Sequence, residues 1–148
     1  MKGSPVPDTA DSRSFDQARV DALTGRRILV AEDEIFIGLE VEIELKRVGA
    51  EVLGPAFTLE EAQAIYRDGS IDGAILDVDL GGEDVFPLAW ELVDAGVPMI
   101  FYTARPRGIQ FPARFSWVRV VPKPSSGREL ISALSRSMEQ NATPPGKQ

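Results

Sequence analysis

The feature that most constrains the fold is a regular alternation of short apolar runs with longer, capped segments. Apolar runs of this length are typical of strands buried on both faces, and such strands form parallel sheets covered by helices. The sequence therefore predicts an α/β fold with a doubly wound, five-stranded parallel sheet. The predicted strands are Arg27–Ala31, Glu51–Phe57, Gly73–Leu76, Met99–Tyr102 and Trp117–Val121.

The segments between these strands carry helix signals. Two of them open with capping boxes, Thr58-Leu-Glu-Glu61 and Ser126-Gly-Arg-Glu129. Between the fourth and fifth strands, Pro106, Gly108 and Pro112 leave little room for a helix, so the fourth helix is expected to be short or absent. The predicted helices are Ile35–Val48, Thr58–Asp68, Asp84–Ala95 and Ser126–Met138.

The first predicted helix has two apolar faces. Residues 39–45 alternate with period 2, which favours a strand, but the length of the segment and the need for a crossover between parallel strands favour a helix. On a helical wheel one face carries Phe36, Leu39 and Ile43, and the opposite face carries Ile37, Val41, Leu45 and Val48. We predict that Ile37, Val41 and Leu45 form a second stripe that a partner covers. A docked segment Phe15–Leu23 or a second copy of the chain is the alternative.

Polar residues follow nearly every predicted strand. They are Glu32 and Asp33, Asp77, Thr103, and Lys123. Because sites in such sheets lie at the carboxyl ends of the strands, we expect these side chains to converge. Converging carboxylates repel one another, and a hard divalent cation such as Mg²⁺ relieves that repulsion. A carboxylate can also accept a phosphoryl group as an acyl phosphate.

Two missing residue types narrow the chemistry. The chain has no cysteine, which removes disulfides, thiolate zinc sites and thiol catalysis. It has no histidine, which removes Ser-His-Asp chemistry and the role of phosphohistidine donor. A net charge of −7 argues against nucleic acid or an anionic membrane as partner. Neither a secretory signal nor a membrane-spanning run is visible, so a cytoplasmic location is expected.

The length of 148 residues suits one domain with two tails. Residues 1–25 are predicted to form a flexible tail that includes, at most, the short helix Phe15–Leu23. Residues 26–139 form the predicted domain, and residues 140–148 a disordered tail. This division predicts a stand-alone domain that is a monomer or a weak homodimer.

The ordered set Glu32-Asp33, Asp77, Thr103 and Lys123-Pro124 resembles the receiver domain of two-component response regulators. The resemblance covers about Arg26 to Met138. It implies the flavodoxin-like receiver fold with strand order 2-1-3-4-5. Together with residues 77–87, the run Phe101–Arg105 makes the chain similar to a divergent relative of stand-alone receivers that carry a Phe-Ala-Thr-Gly run after the fourth strand.

The resemblance implies roles for these residues. Asp77 would accept a phosphoryl group from a sensor histidine kinase or a histidine phosphotransfer protein. Thr103 would be the switch hydroxyl, and Lys123 the ammonium that contacts the phosphoryl group. Pro124 would follow a cis peptide bond. Output would pass to an unknown downstream protein by contact or phosphorelay, and the chain would catalyse only its own phosphorylation and dephosphorylation.

The resemblance also implies a magnesium site. Asp33 would bind Mg²⁺ directly, Asp77 would be a further metal residue, and Glu32 would bind the ion through water or support it. The main-chain carbonyl of Asp79 matches the remaining protein ligand. No other cofactor is implied.

The sequence departs from the family pattern near the fifth strand. Val120 stands where the family often has a Tyr or Phe that swings inward on activation. Pro122 directly precedes Lys123, and Ser125 stands where Phe is common. The usual switch between a threonine and an aromatic ring therefore lacks its ring here.

Two other functions fit parts of the pattern. The first is a magnesium phosphatase with Asp77 as nucleophile and Asp79 as general acid, although that nucleophile normally follows the first strand. The second is a receiver-like domain that only binds partners, which the intact acidic pair and Lys123 argue against.

Overall fold

The computed structural model describes residues 17–19 and 21–140, and a single parallel sheet lies at the centre of this part of the chain. The sheet has five strands in the order β2-β1-β3-β6-β7, so the prediction of a doubly wound sheet with receiver-like strand order is confirmed. These strands are β1 Arg27–Ala31, β2 Glu51–Ala56, β3 Gly73–Leu76, β6 Met99–Thr103 and β7 Arg119–Pro122.

Four α-helices, whose ranges are given at the end of this paragraph, cover the two faces of the sheet. The capping box at Thr58 forms, with the Glu61 amide donating to Thr58 Oγ1 over 3.0 Å. The second box also forms, with the Glu129 amide donating to Ser126 Oγ and the Ser126 amide donating to Glu129 Oε1. The helices are α1 Ile35–Arg47, α2 Leu59–Asp68, α3 Phe86–Asp94 and α4 Gly127–Gln140.

A small hairpin follows β3 and was not predicted. It joins β4 (Asp79–Leu80) to β5 (Glu83–Asp84), which pair antiparallel. The turn residues Gly81 and Gly82 have φ angles of 59° and 92°, a conformation that glycine adopts without strain. The two-residue strands are too short for any hydrophobic period, so only the Gly-Gly pair signalled the turn.

The prediction for the two faces of α1 is wrong. Val41 is 2% exposed and Leu45 is fully buried, so the face that contains them packs on the core and the half-buried Ile37 packs against it. The opposite face is the exposed one, with Phe36 81% exposed. The exposed apolar side chains of this face, here called the outer stripe, are Ile35, Phe36, Leu39 and Ile43.

The connection between β6 and β7 has no α-helix, as predicted. It contains one short 3₁₀ helix, Ala113–Phe115. Phe115 is 1% exposed, and its ring stacks on Phe86 at a centroid distance of 5.5 Å and meets Phe101 edge-on. Phe111 also contacts Phe86 and Phe101. Aromatic side chains thus fill the space that a helix would cover.

The chain before β1 packs on the domain. Residues 17–19 and 21–23 are helical, and Leu23 is fully buried in the same core as Val41 and Leu45. Arg19 Nη1 donates to Ser132 Oγ of α4 over 2.8 Å. Residues 1–16, 20 and 141–148 of the predicted tails, which include residues 15, 16 and 20 of the predicted helix Phe15–Leu23, lie outside the described residues.

No helix in residues 17–19 and 21–140 combines the length and the apolar character that crossing a membrane requires.

Candidate functional site

The carboxyl ends of β1, β3 and β7 bring three charged side chains into contact. Lys123 Nζ lies 2.6 Å from Glu32 Oε1 and 3.1 Å from Asp77 Oδ2. The side chains of Glu32, Lys123 and Asp77 are 3%, 6% and 9% exposed. Burial of one ammonium between two carboxylates is tolerated because each charge has a partner of opposite sign.

The burial of this cluster changes its acid–base properties. Burial raises the pKa of the Glu32 carboxyl to about 7, and the charge of Asp77 adds to the rise while the hydrogen bond from Lys123 opposes it. Burial acts to lower the pKa of Lys123, but the hydrogen bond to Glu32 and the charge of Asp77 together raise it above its usual value. Lys123 therefore stays an ammonium across the physiological range.

Three acidic residues at the same edge lie close enough together that they could hold a metal ion. One carboxylate oxygen from each of Glu32, Asp33 and Asp77 lies within 4.8 Å of the other two. The Asp33 carboxylate is also fixed by the hairpin, because its Oδ2 accepts a hydrogen bond from the Gly81 amide over 2.8 Å. Clustered carboxylate oxygens are the ligands that Mg²⁺ prefers, so the residues present fit this cation.

Asp79 lies beside Asp77 at the start of the hairpin. Its amide donates to Asp77 Oδ1 over 3.3 Å, which orients the Asp77 carboxylate. The side chain of Asp79 accepts from the Gly82 amide and lies 4.0 Å from Arg105 Nη2.

Thr103 ends β6 at the same edge and is 3% exposed. Its Oγ1 accepts a hydrogen bond from the Arg105 amide over 3.1 Å, so in this state the hydroxyl oxygen is engaged by the loop that follows. The Lys123 amide donates to the Thr103 carbonyl, which ties the ends of β6 and β7 together. The peptide bond between Lys123 and Pro124 is cis, as the resemblance implied.

The structure therefore places every predicted site residue at one edge of the sheet. Sequence reasoning missed three contributions: the direct ion pair of Glu32 with Lys123, the Gly81 amide that holds Asp33, and the ring of Tyr102, whose centroid lies 5.5 Å from Lys123 Nζ. Gly81-Gly82 was a usable turn signal. The buried ion pair and the ring contact have no local sequence signature.

Comparison with known proteins points to one family, although no family model matches the chain. The solved structure of SdrG from Sphingomonas melonis Fr1 is 34% identical, has a TM-score of 0.67, and covers 80% of this chain and 98% of its own. The non-phosphorylated receiver domain of HemR from Leptospira biflexa is 30% identical with a TM-score of 0.66, and covers 76% of this chain and 94% of its own.

A curated relative extends beyond the matched region. The uncharacterized transcriptional regulatory protein YbdJ of Bacillus subtilis (strain 168) is 28% identical over 127 residues, which are 80% of this chain. The chain spans 53% of the length of that relative. The sheet order, the strand-end cluster and these similarities define a receiver, and the chain belongs to the receiver domain family of response regulators.

Proposed function

We propose that this chain accepts a phosphoryl group on Asp77 from a phosphohistidine of a partner protein, with Mg²⁺ held beside it. The observation that supports this most directly is the contact of Lys123 Nζ with Asp77 Oδ2 at 3.1 Å, within a cluster of carboxylates that fits a divalent cation. A buried ammonium beside a carboxylate provides a charge-assisted donor for the oxygens of a phosphoryl group on that carboxylate.

The transfer breaks one bond and forms another. An oxygen of the Asp77 carboxylate attacks the phosphorus, the bond between phosphorus and the imidazole nitrogen of the partner breaks, and the imidazole keeps the electron pair. Lys123 donates to the phosphoryl oxygens, and Asp33, Glu32 and the carbonyl of Asp79 would hold the cation. When bound, Mg²⁺ offsets the charge on those oxygens. We infer that the chain catalyses only this transfer and the hydrolysis of its own acyl phosphate, in which water attacks the phosphorus, inorganic phosphate leaves and the Asp77 carboxylate is restored.

The outer stripe of α1 is the proposed docking surface for the donor. The helix begins at Ile35, directly after Glu32 and Asp33, so a helical bundle seated on it presents its histidine close to Asp77. Phe36 and Ile43 are 81% and 54% exposed, and exposed apolar groups of this kind mark partner sites on soluble domains. Exposed Glu40 lies beside the stripe, where charge affects the choice of partner.

The site assignment is tested with a small phosphodonor. Purified protein is incubated with acetyl phosphate and Mg²⁺, and the gain of one phosphoryl group is followed by intact mass. We expect the parent to be phosphorylated and Asp77→Asn to be unreactive. Asp79→Asn is the matched control, since it alters a neighbouring carboxylate but keeps the main-chain carbonyl, and it should still react. Undiminished phosphorylation of Asp77→Asn would refute the site.

The class of donor is tested separately. A panel of phosphorylated histidine kinases and phosphotransfer proteins is mixed with the parent, and transfer is timed in seconds to minutes. Rapid transfer from a few of them identifies the partner. Acceptance from acetyl phosphate but from none of a complete panel of the organism's kinases and phosphotransfer proteins would contradict the proposed donor class while leaving Asp77 as acceptor. The cytoplasmic location stays a prediction.

A further inference from the structure

The side chain of Tyr102 is hydrogen-bonded to the loop that carries Lys123. Tyr102 is the residue before Thr103 on β6, and it is 6% exposed. Its hydroxyl oxygen accepts a hydrogen bond from the Ser125 amide over 3.2 Å and donates one to the Ser125 carbonyl over 3.4 Å. One side chain thus satisfies both backbone polar groups of a loop residue, which fixes the path of the chain between β7 and α4.

The same ring also faces the ammonium. Lys123 Nζ lies 5.5 Å from the centre of the Tyr102 ring, within the range of a cation–π interaction. Ser125 Oγ donates to the Pro122 carbonyl over 2.6 Å, which closes the loop around Lys123. Tyr102 therefore contacts this region in two ways, with its ring on the Lys123 ammonium and with its hydroxyl on the loop that follows Lys123.

Tyr102 also lines a groove of about 310 Å³ between α1 and the start of α4. Ile43 of the outer stripe lines this groove, as do Ser126 and Gly127 at the beginning of α4. Tyr102 therefore contacts both the ammonium beside the phosphoacceptor and a groove that includes part of the outer stripe.

A second route that could link phosphorylation to the surface, through β6 and β7, lacks the aromatic ring that it would need. Val120 offers no ring, and the connection between β6 and β7 is held by the packing of Phe111 and Phe115 on Phe86 and Phe101. A displacement of Lys123 toward phosphoryl oxygens, in contrast, requires the Tyr102 ring and the Ser125 loop to adjust. We propose that Tyr102 is the positioning residue for Lys123, and that it links phosphorylation of Asp77 to the groove between α1 and α4. The second half of this inference rests on the proposed function.

The test uses Tyr102→Phe, which removes only the hydroxyl. The chain has two tyrosines, so Tyr66→Phe on α2 is the matched control. Side-chain signals of Lys123 and the amide signal of Ser125 are followed by NMR, before and after phosphorylation with acetyl phosphate and Mg²⁺. We expect Tyr102→Phe to shift both signals in the resting protein and to slow phosphorylation roughly fivefold, the ratio that corresponds to one ordinary hydrogen bond. Tyr66→Phe should match the parent in both respects.

A second readout addresses the groove. In the parent we expect phosphorylation to shift signals of Ile43 and Gly127, and in Tyr102→Phe these shifts should shrink while the acyl phosphate still forms. A Tyr102→Phe protein whose Lys123 and Ser125 signals and phosphorylation rate equal those of the parent would overturn the positioning role. Undiminished shifts at Ile43 and Gly127 would overturn the link.

The failure of the proposed function has a different signature. If the parent itself gains no phosphoryl group from any donor, the proposed function fails and the link to the groove fails with it. The positioning role is then decided in the resting protein alone. An unchanged Lys123 signal in Tyr102→Phe contradicts it, and a shifted signal supports it.

Discussion

At the scale of single residues, Lys123 is the centre of the site, because it is the only cation in contact with Glu32 and Asp77 among the described residues. Removing it leaves two nearly buried carboxylates without a counter-ion. We expect Lys123→Ala to lower the free energy of unfolding by about 3–5 kcal/mol in metal-free buffer. Mg²⁺ should restore part of that loss, since the carboxylates can then bind a cation instead.

Urea unfolding of the parent and of Lys123→Ala, each with and without Mg²⁺, measures this effect. Lys46→Ala is the control, because its ion pair with Glu42 is on the surface and contributes less than about 1 kcal/mol. A loss in Lys123→Ala as small as that in Lys46→Ala would show that the buried pair does not hold the site together.

Asp33 offers a second test at this scale. Asp33→Ala removes a charge from a repelling cluster but also removes the acceptor of the Gly81 hydrogen bond. The two effects oppose each other, so we expect a stability change within about 1 kcal/mol in metal-free buffer and a clear loss of Mg²⁺ affinity. Asp33→Asn keeps an acceptor for Gly81 and loses only the charge, so it should be at least as stable as the parent.

Mg²⁺ titration followed by calorimetry or NMR, together with thermal melts, separates the metal role from the structural one. Unchanged Mg²⁺ affinity in both variants would remove Asp33 from the metal site. A strong destabilisation in both would make Asp33 a structural residue.

The charged residues of the site were predictable, whereas their mutual contacts were not. Asp77 and Lys123 follow buried strands, and the strand ends of a parallel sheet meet at one edge. Two of these contacts are the ion pair of Lys123 with Glu32 and the hydrogen bond of the Ser125 amide to the Tyr102 hydroxyl. Both depend on the path of a loop that brings together positions distant in sequence. No local pattern encodes that path.

At the scale of elements, α1 shows where periodicity stops being informative. Both of its faces are apolar, so the helical wheel alone could not choose between them. Gly38 was the signal that could have shown which face is buried, because it shares a face with Val41 and Leu45 and a glycine permits close packing. A Cβ built on Gly38 would lie 3.1 Å from the Pro55 side chain, so this face approaches β2 too closely for a larger residue.

The two faces of α1 therefore predict opposite effects for the same substitution. Val41→Glu places a charge at a position that is 2% exposed, and we expect it to unfold or strongly destabilise the domain. Phe36→Glu places it at a position that is 81% exposed, and we expect a folded protein that reacts normally with acetyl phosphate. Its phosphorylation by the partner kinase should slow by roughly tenfold or more, as for an interface anchor.

Thermal melts and the two phosphorylation assays distinguish these outcomes. Equal rates of phosphorylation by the kinase in the parent and in Phe36→Glu would contradict docking on the outer stripe. A stable, folded Val41→Glu would contradict the assignment of the buried face.

At the scale of the whole molecule, the domain replaces one helix with an aromatic cluster. The absence of the helix was predictable from Pro106, Gly108 and Pro112, but the packing that compensates for it was not. Phe115 contacts Phe86 and Trp90 of α3 and Phe101 of β6, so the cluster joins the β6–β7 connection to two other elements. Sequence patterns report the period of one element and not the contacts between elements.

This cluster predicts a large effect of a single truncation. We expect Phe115→Ala to lower the free energy of unfolding by about 3–5 kcal/mol, because the side chain is 1% exposed and its removal leaves a cavity. Phe57→Ala is the control of equal size, since Phe57 is 41% exposed, and it should have a much smaller effect. Chemical unfolding of the two variants measures both values. Similar decreases in the free energy of unfolding of the two variants would show that Phe115 in the aromatic cluster contributes no more to stability than the exposed Phe57.

The order of strands in the sheet also has a consequence for biosynthesis. Every pair in the sheet is parallel, so each pairing needs an intervening crossover, and β7 is the last strand of the sheet in chain order. A ribosome releases Glu32, Asp33 and Asp77 well before Lys123, and the nascent chain therefore holds three carboxylates without their ammonium. Until β7 adds to β6, Mg²⁺ or another cation is the available counter-ion for that edge. The ammonium of the site is therefore supplied by the residue directly after the last strand of the sheet, and α4 follows it in the chain.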